Sequence, residues 1–114
     1  MSRRLLTGAS VYPIILTLLS EGDSYGYAII DRVRDLSRGE VEWVAGSLYP
    51  VLHRMKAERL IDDYWGESEE GRRRRYYRIA AKGRRALETE KHEWLAVHAV
   101  LARLWGLPVA AADA

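Results

Sequence analysis

Between Gly71 and Arg85 the chain carries eight basic side chains, Arg72, Arg73, Arg74, Arg75, Arg78, Lys82, Arg84 and Arg85, and no acidic one. A guanidinium group is planar, permanently charged and able to give two parallel hydrogen bonds to a phosphate, so such a tract attracts polyanions although the net charge is only +2. A solvated surface strip is the other use of a charge run, and composition alone leaves both open. Catalysis finds no comparable foothold. The histidines His53, His92 and His98 lack metal-ligand spacing, and Lys91-His92-Glu93 lacks the second histidine of a zinc-protease motif. Neither a nucleophile elbow nor a phosphate-binding glycine loop occurs. With no cysteine there is no disulfide, thiolate metal site or thiol nucleophile. The expectation is a binding protein, not an enzyme, with no metal and no cofactor.

The elements that must position the arginines can be read from periodicity. At 114 residues, 48% hydrophobic and 30% charged, the chain suits one folded domain with an appendage. The apolar run Val11 to Leu19 is interrupted by Pro13 and Thr17 and is too short for a bilayer. The basic start Met1 to Arg4 is followed by no small-residue cleavage site, so a cytoplasmic protein without a membrane partner is expected. Val11, Ile14, Ile15, Leu18 and Leu19 fall at helical spacing. That first helix either begins near Ser10, with Pro13 in its opening turn, or runs from Leu5 and kinks. Ser24 is the expected N-cap of a second helix with Ile29, Ile30, Val33 and Leu36 on one face, closed by Ser37-Arg38-Gly39.

Val41 to Val44 reads as an extended linker. Gly46-Ser47 then opens a third helix to about Arg59, with Pro50 assigned to its first turn. Leu48, Leu52 and Met55 point one way, and Gly46, Pro50, His53 and Ala57 the other. Ile61 to Trp65 and Arg74 to Ile79 are two strands joined by the polar turn Gly66 to Gly71, with Tyr77 and Ile79 inward and Tyr76 and Arg78 outward. A long helix from about Ala81 to Trp105 follows, ended by Gly106 and Pro108, with a tail to Ala114 expected to be disordered. Leu87, Trp94 and Leu101 recur at seven-residue spacing, Lys91, His98 and Trp105 likewise, and Val97 and Leu104 widen the stripe. Such a helix has more apolar surface than a small core can cover, and pairing with a second copy is expected.

Three helices followed by a basic hairpin is the order of a winged helix, in which the third helix enters the major groove and the hairpin reaches the backbone. The fold class is therefore mainly α with a small β-hairpin: a winged helix-turn-helix over 1–80, a dimerisation helix over 81–106 and a tail over 107–114. Ser47 and Tyr49 can offer hydroxyls to phosphates or base edges, Pro50 sets the start of the helix, and His53 and Arg54 lie on its exposed side. Tyr49 can equally pack beneath the hairpin. Arg72, Arg73, Arg74 and Arg75 can reach phosphates or a minor groove from the hairpin tip. Glu67, Glu69 and Glu70 partly neutralise them in the absence of DNA.

Four motifs in register, Ser24-Tyr25-Gly26-Tyr27, Gly46-Ser47-Leu48-Tyr49-Pro50, Tyr64-Trp65-Gly66 and Gly71-Arg72-Arg73-Arg74-Arg75-Tyr76-Tyr77-Arg78, resemble the PadR family of transcriptional regulators over roughly Leu5 to Leu104. The single C-terminal helix is similar to the small subfamily. This resemblance implies a homodimeric, sequence-specific DNA-binding repressor on a pseudo-palindromic double-stranded operator, with half-sites about 10 base pairs apart. It adds Ser24 and Tyr25 to the DNA-binding set. It also implies a cavity at the dimer centre where Trp94, with Tyr12 and His98 as neighbours, offers a flat wall to a planar aromatic effector. Ordinary dimer core is the alternative role for Trp94. Two positions depart from the family pattern: Arg59 replaces the usual glycine after the third helix, and Ala80 replaces the threonine that caps the last one. Two rival functions stay open, a winged helix that docks an acidic protein partner and a dimer that sequesters small hydrophobic compounds.

Overall fold

A computed structural model describes residues 4–5 and 8–108. A 3-10 turn over Gly8–Ser10 leads directly into helix α1, Val11–Ser20. Of the two starts open to the sequence, the later one holds. Pro13 is the third helical residue, where a backbone N–H would have no intrahelical partner. Val11, Ile15, Leu16, Leu18 and Leu19 are all buried, so α1 is covered on most sides.

Helix α2 spans Gly26–Leu36. Its N-cap is Tyr25 in extended conformation, not Ser24, and no side chain caps it. The displacement has a physical cause: the Ser24 backbone is engaged elsewhere, donating to the Tyr77 carbonyl at 3.1 Å and accepting from the Tyr77 N–H at 2.7 Å. Ile29 and Val33 enter the core as expected, whereas Leu36, in the last turn, is 66% exposed. Val41–Glu42, expected as a linker, forms a short strand β2 parallel to β1, Arg4–Leu5. Trp43, next to it, is buried, and its indole N–H has no partner among the described residues.

Helix α3 spans Ala45–Ala57, with Val44 as N-cap. Beginning one residue before Gly46, it places Pro50 at the sixth helical position, past the first turn to which the sequence had assigned it. The proline has no N–H to donate to the carbonyl of Gly46, one turn back, and Gly46 is exposed. Helices α2 and α3 end alike. Leu60 N–H bonds the Met55 carbonyl at 3.0 Å and Arg59 N–H that of Lys56 at 2.9 Å, while Gly39 and Arg38 do the same to Arg34 and Asp35 at 2.8 and 3.1 Å. Both are Schellman closures whose left-handed residue is an arginine, Arg38 with φ 55° and Arg59 with φ 65°.

Strands β3, Ile61–Glu67, and β4, Arg73–Ile79, form an antiparallel hairpin in the register Ile61 to Ile79 through Glu67 to Arg73. The strands run further toward the tip than the sequence suggested, and the turn narrows to Ser68 through Arg72. Ser68 closes it, its N–H donating to the Arg72 carbonyl at 2.8 Å and its buried hydroxyl accepting from the Arg72 N–H at 3.2 Å. Tyr77 is buried, as alternation required, and Ile79 packs on the core.

Helix α4 covers Ala81–Trp105, the expected span, and ends at Gly106 in left-handed conformation. Ala80 provides no side-chain cap; its N–H bonds the Leu60 carbonyl at 3.0 Å instead. One core collects α1, α2, α3, Ile61, Tyr77 and Leu87. Beyond Leu87, α4 presents Trp94, Val97, Val100, Leu104 and Trp105 to solvent. No helix among the described residues is long and apolar enough to cross a membrane. The expected tail falls largely on 109–114, outside the described residues.

Candidate nucleic-acid interface

Helix α3 divides as its periodicity predicted. Leu48, Leu52 and Met55 are fully buried, while Gly46, Pro50, His53 and Ala57 are exposed. No acidic residue occurs from Val44 to Ala57, so the open face is apolar to basic throughout. The Ser47 hydroxyl is half-buried and donates to the Val44 carbonyl at 3.1 Å. Tyr49 packs against the first residue of α2: a Cβ added at Gly26 would lie 2.3 Å from the phenol oxygen, so only glycine admits the ring there. Burial, with Tyr27 adding to it, pushes the Tyr49 phenol above its ordinary value and keeps it neutral.

The hairpin is locked to α3 through Asp63. One carboxylate oxygen accepts from Lys56 Nζ at 2.8 Å and the other from an Arg75 guanidinium nitrogen at 2.7 Å, with the Asp63 side chain only 12% exposed. The Lys56 hydrogen bond, opposed by desolvation and helped by the charges of Lys56 and Arg75, holds the carboxyl below the usual carboxylate range.

On this same strand face, further toward the tip, Trp65 stands opposite Arg75, and the guanidinium carbons of Arg73 and Arg75 lie 4.6 and 4.7 Å from its ring centre. The other face carries an aromatic ladder. Tyr64 and Tyr76 stack at 5.6 Å, Tyr25 meets Tyr76 edge-on at 5.7 Å, and Arg74 sits 3.8 Å over Tyr25. Tyr64 donates to Asp23 at 2.5 Å, which pushes its own pKa up. The Ser24 bridge and Tyr25 therefore join the start of α2 to β4. Arg72 is exposed beside the turn. Of the expected set, Ser24, Tyr25, Ser47, Tyr49, Pro50, His53 and Arg72 to Arg75 all lie on α3, the hairpin or the segment bridging to it. Asp63 and Trp65 were missed, because their partners become visible only once the strand register pairs Asp63 with Tyr77 and Trp65 with Arg75.

Arg54, expected with these, turns elsewhere. Its Nε donates to the Tyr12 phenol oxygen at 3.0 Å, its guanidinium carbon lies 5.5 Å from the Tyr12 ring centre, and Tyr12 donates in turn to Glu58 at the end of α3. Burial and the Glu58 contact raise the Tyr12 pKa. Tyr12 and Arg54 line a cleft of about 460 Å³ together with Trp94, Val97, Glu90 and Glu93. A second cleft of about 470 Å³, walled by Pro13, Ile14, Leu18, Leu36 and Leu95, lies on another side of Trp94. The structure thus brings Tyr12 and Trp94 to one cavity. His98, one helical turn past Trp94, is exposed and lines neither cleft. No cluster of three metal-ligating side chains occurs among the described residues.

The chain is similar to several known proteins. The model of the transcriptional regulator PadR-like family matches residues 15–89. A PadR-like transcriptional regulator from Bacillus cereus is 33% identical, with a TM-score of 0.75 over 83% of this chain and 90% of that one. A transcriptional regulator from Clostridium thermocellum is 34% identical, with a TM-score of 0.73 over 82% and 90%. An uncharacterised protein from Lysinibacillus sphaericus is 32% identical over 77% of this chain and 81% of its own. With its winged-helix fold, its motifs in register and a family match across most of the core, this chain belongs to the PadR-like family of transcriptional regulators.

Proposed function

We propose that the chain is a sequence-specific DNA-binding repressor that acts as a homodimer, with α3 in the major groove and the hairpin on the adjacent backbone. The observation that carries this is the Asp63 bridge: one carboxylate joins an acid-free helix face to an arginine-bearing hairpin, so that both reach the duplex as one rigid unit. Ser47, Pro50 and His53 would meet base edges or phosphates from α3, and Arg72 and Arg73 phosphates from the wing. Ser24, Tyr25 and Tyr49 contribute chiefly by fixing α2 and α3 against the hairpin.

The apolar surface left open along α4, from Trp94 to Trp105, is what a second copy would cover, which makes 81–106 the dimerisation helix and 1–80 the reading unit. Repression would follow where the bound dimer covers a promoter. A planar aromatic effector suits the Trp94 cleft, since the ring offers a stacking face, Tyr12 a second aromatic wall, and Glu90 and Glu93 a preference for positive charge. Such a ligand would meet Arg54, which belongs to α3, and so could favour one placement of that helix over another. A cytoplasmic location fits a protein that must meet DNA.

Sedimentation of the protein with a duplex from its own upstream region tests the assembly. Two chains per duplex are expected; one chain per duplex, or a monomer that binds no DNA, overturns it. An effector panel tests the cleft: compounds that change wild-type operator affinity should leave Trp94→Ala unchanged, and an equal response in both proteins removes Trp94 from ligand binding.

A further inference from the structure

We infer that Trp65 is a positioning residue for DNA binding, a flat splint on which Arg73 and Arg75 are held in place before the duplex arrives. The inference rests on the DNA-binding function proposed above and goes beyond it by assigning a role to a residue outside the expected contact set.

Trp65 is 54% exposed, on a strand face whose inner half, Ile61, Tyr77 and Ile79, packs on the core. An indole placed past the edge of the core is not there for burial. What it touches is charge, with the guanidinium groups of Arg73 and Arg75 at 4.6 and 4.7 Å from its centre. The register explains why both reach it: Arg75 is directly opposite, and Arg73, two residues on, is its diagonal neighbour on the same face. A guanidinium group held over a ring by cation-π attraction can still turn in-plane N–H donors to phosphate oxygens. Arg75 gives one nitrogen to Asp63 at 2.7 Å and keeps others, and among the described residues no ion pair holds Arg73. Two long side chains that would otherwise lose their rotamer freedom on binding have thus lost much of it beforehand, so affinity gains with no contact added.

The test uses the full chain and the tightest duplex that the wild-type protein selects from a random pool. Trp65→Leu keeps an apolar side chain but has no ring face, and Trp65→Tyr keeps the ring. Trp65→Leu should weaken binding about tenfold, while Trp65→Tyr stays within about threefold of wild type. In the Arg73→Ala/Arg75→Ala background the Trp65→Leu effect should shrink to about twofold or less, because the splint then has nothing to hold. Affinity unchanged in Trp65→Leu overturns the inference while leaving the DNA-binding function standing. So does a loss equally large with and without the arginines, which would make Trp65 a direct contact or a hairpin stabiliser only. A wild-type protein that selects no duplex overturns the DNA-binding function and this inference together.

Discussion

Tyr12 of α1 and Arg54 of α3 meet at 3.0 Å, the phenol oxygen accepting from Nε, and the same phenol donates to Glu58 one turn further along. The first helix thereby grips the last turn of α3 at the mouth of the Trp94 cleft. Arg54, exposed on α3, ties that helix to the cavity, and the Tyr12 ring belongs to both.

Tyr12→Phe keeps the aromatic wall and removes only the hydroxyl. It should lower stability by about 1 kcal/mol in urea titrations, because the two hydrogen bonds it removes, to Arg54 and Glu58, are both open to water and each is worth little net. Operator affinity without ligand should change little, while the shift caused by an effector should shrink. An undiminished ligand response in Tyr12→Phe would show that the cleft communicates with α3 by another route.

Asp63→Asn removes the charge that joins Lys56 to Arg75. Because both partners are partly exposed, the expected cost is about 1 kcal/mol near neutral pH, with weaker operator binding as the wing loosens. The pH dependence has a definite sign. Asp63 has a depressed folded pKa, so its contribution is complete above the unfolded carboxylate value, about 3.9, and is lost as pH falls through the folded one. Urea midpoints of wild type and Asp63→Asn should differ at pH 7 and converge as the pH falls through the lowered folded value of the Asp63 carboxyl. A constant gap across that range would assign the loss to something other than the ion pair.

Much of this fold was legible because it depends on local pattern. The burial of Leu48, Leu52 and Met55 follows from 3.6-residue spacing, and the span of α4 from its apolar stripe and the Gly106 stop. What misled was competition for the backbone. Ser24 has the chemistry of an N-cap, but a pairing with Tyr77, far along the chain, takes its N–H and carbonyl first. Helices avoid proline beyond the first turn, which points to a start just before Pro50, yet α3 starts at Ala45 and runs through it. At the site, residue type pointed to the arginines, but their partners Trp65, Asp63 and Tyr25 depend on strand register and on the Ser24 bridge, which no short window of sequence contains. Arg54 could be placed on a face but not given a destination, since the phenol that takes it comes from another helix.

Arg59 sits at φ 65° in a helix closure where a glycine would be unstrained. Arg59 is exposed, so Arg59→Gly should stabilise the protein by about 1 kcal/mol, visible as a rise in thermal midpoint of several degrees. A lower midpoint would mean that the arginine side chain contributes more than its backbone strain costs.

Gly83→Ala should be the most damaging small change in the chain. A Cβ there would stand 2.1 Å from the Leu60 carbonyl oxygen, the atom that also accepts the Ala80 N–H. Since backbone and not a flexible side chain stands in the way, the start of α4 must shift, at a cost of about 3 kcal/mol or more. Near-wild-type stability in Gly83→Ala would contradict that close approach.

The most direct test of sequence-specific regulation is fluorescence anisotropy of the protein on a labelled duplex from its own upstream region, against a scrambled duplex, across a salt series. Preference of about a thousandfold or more for the native duplex, with affinity falling steeply as salt rises, is the predicted result. Equal, weak binding to both duplexes would contradict it and would leave the arginine wing to an acidic protein partner.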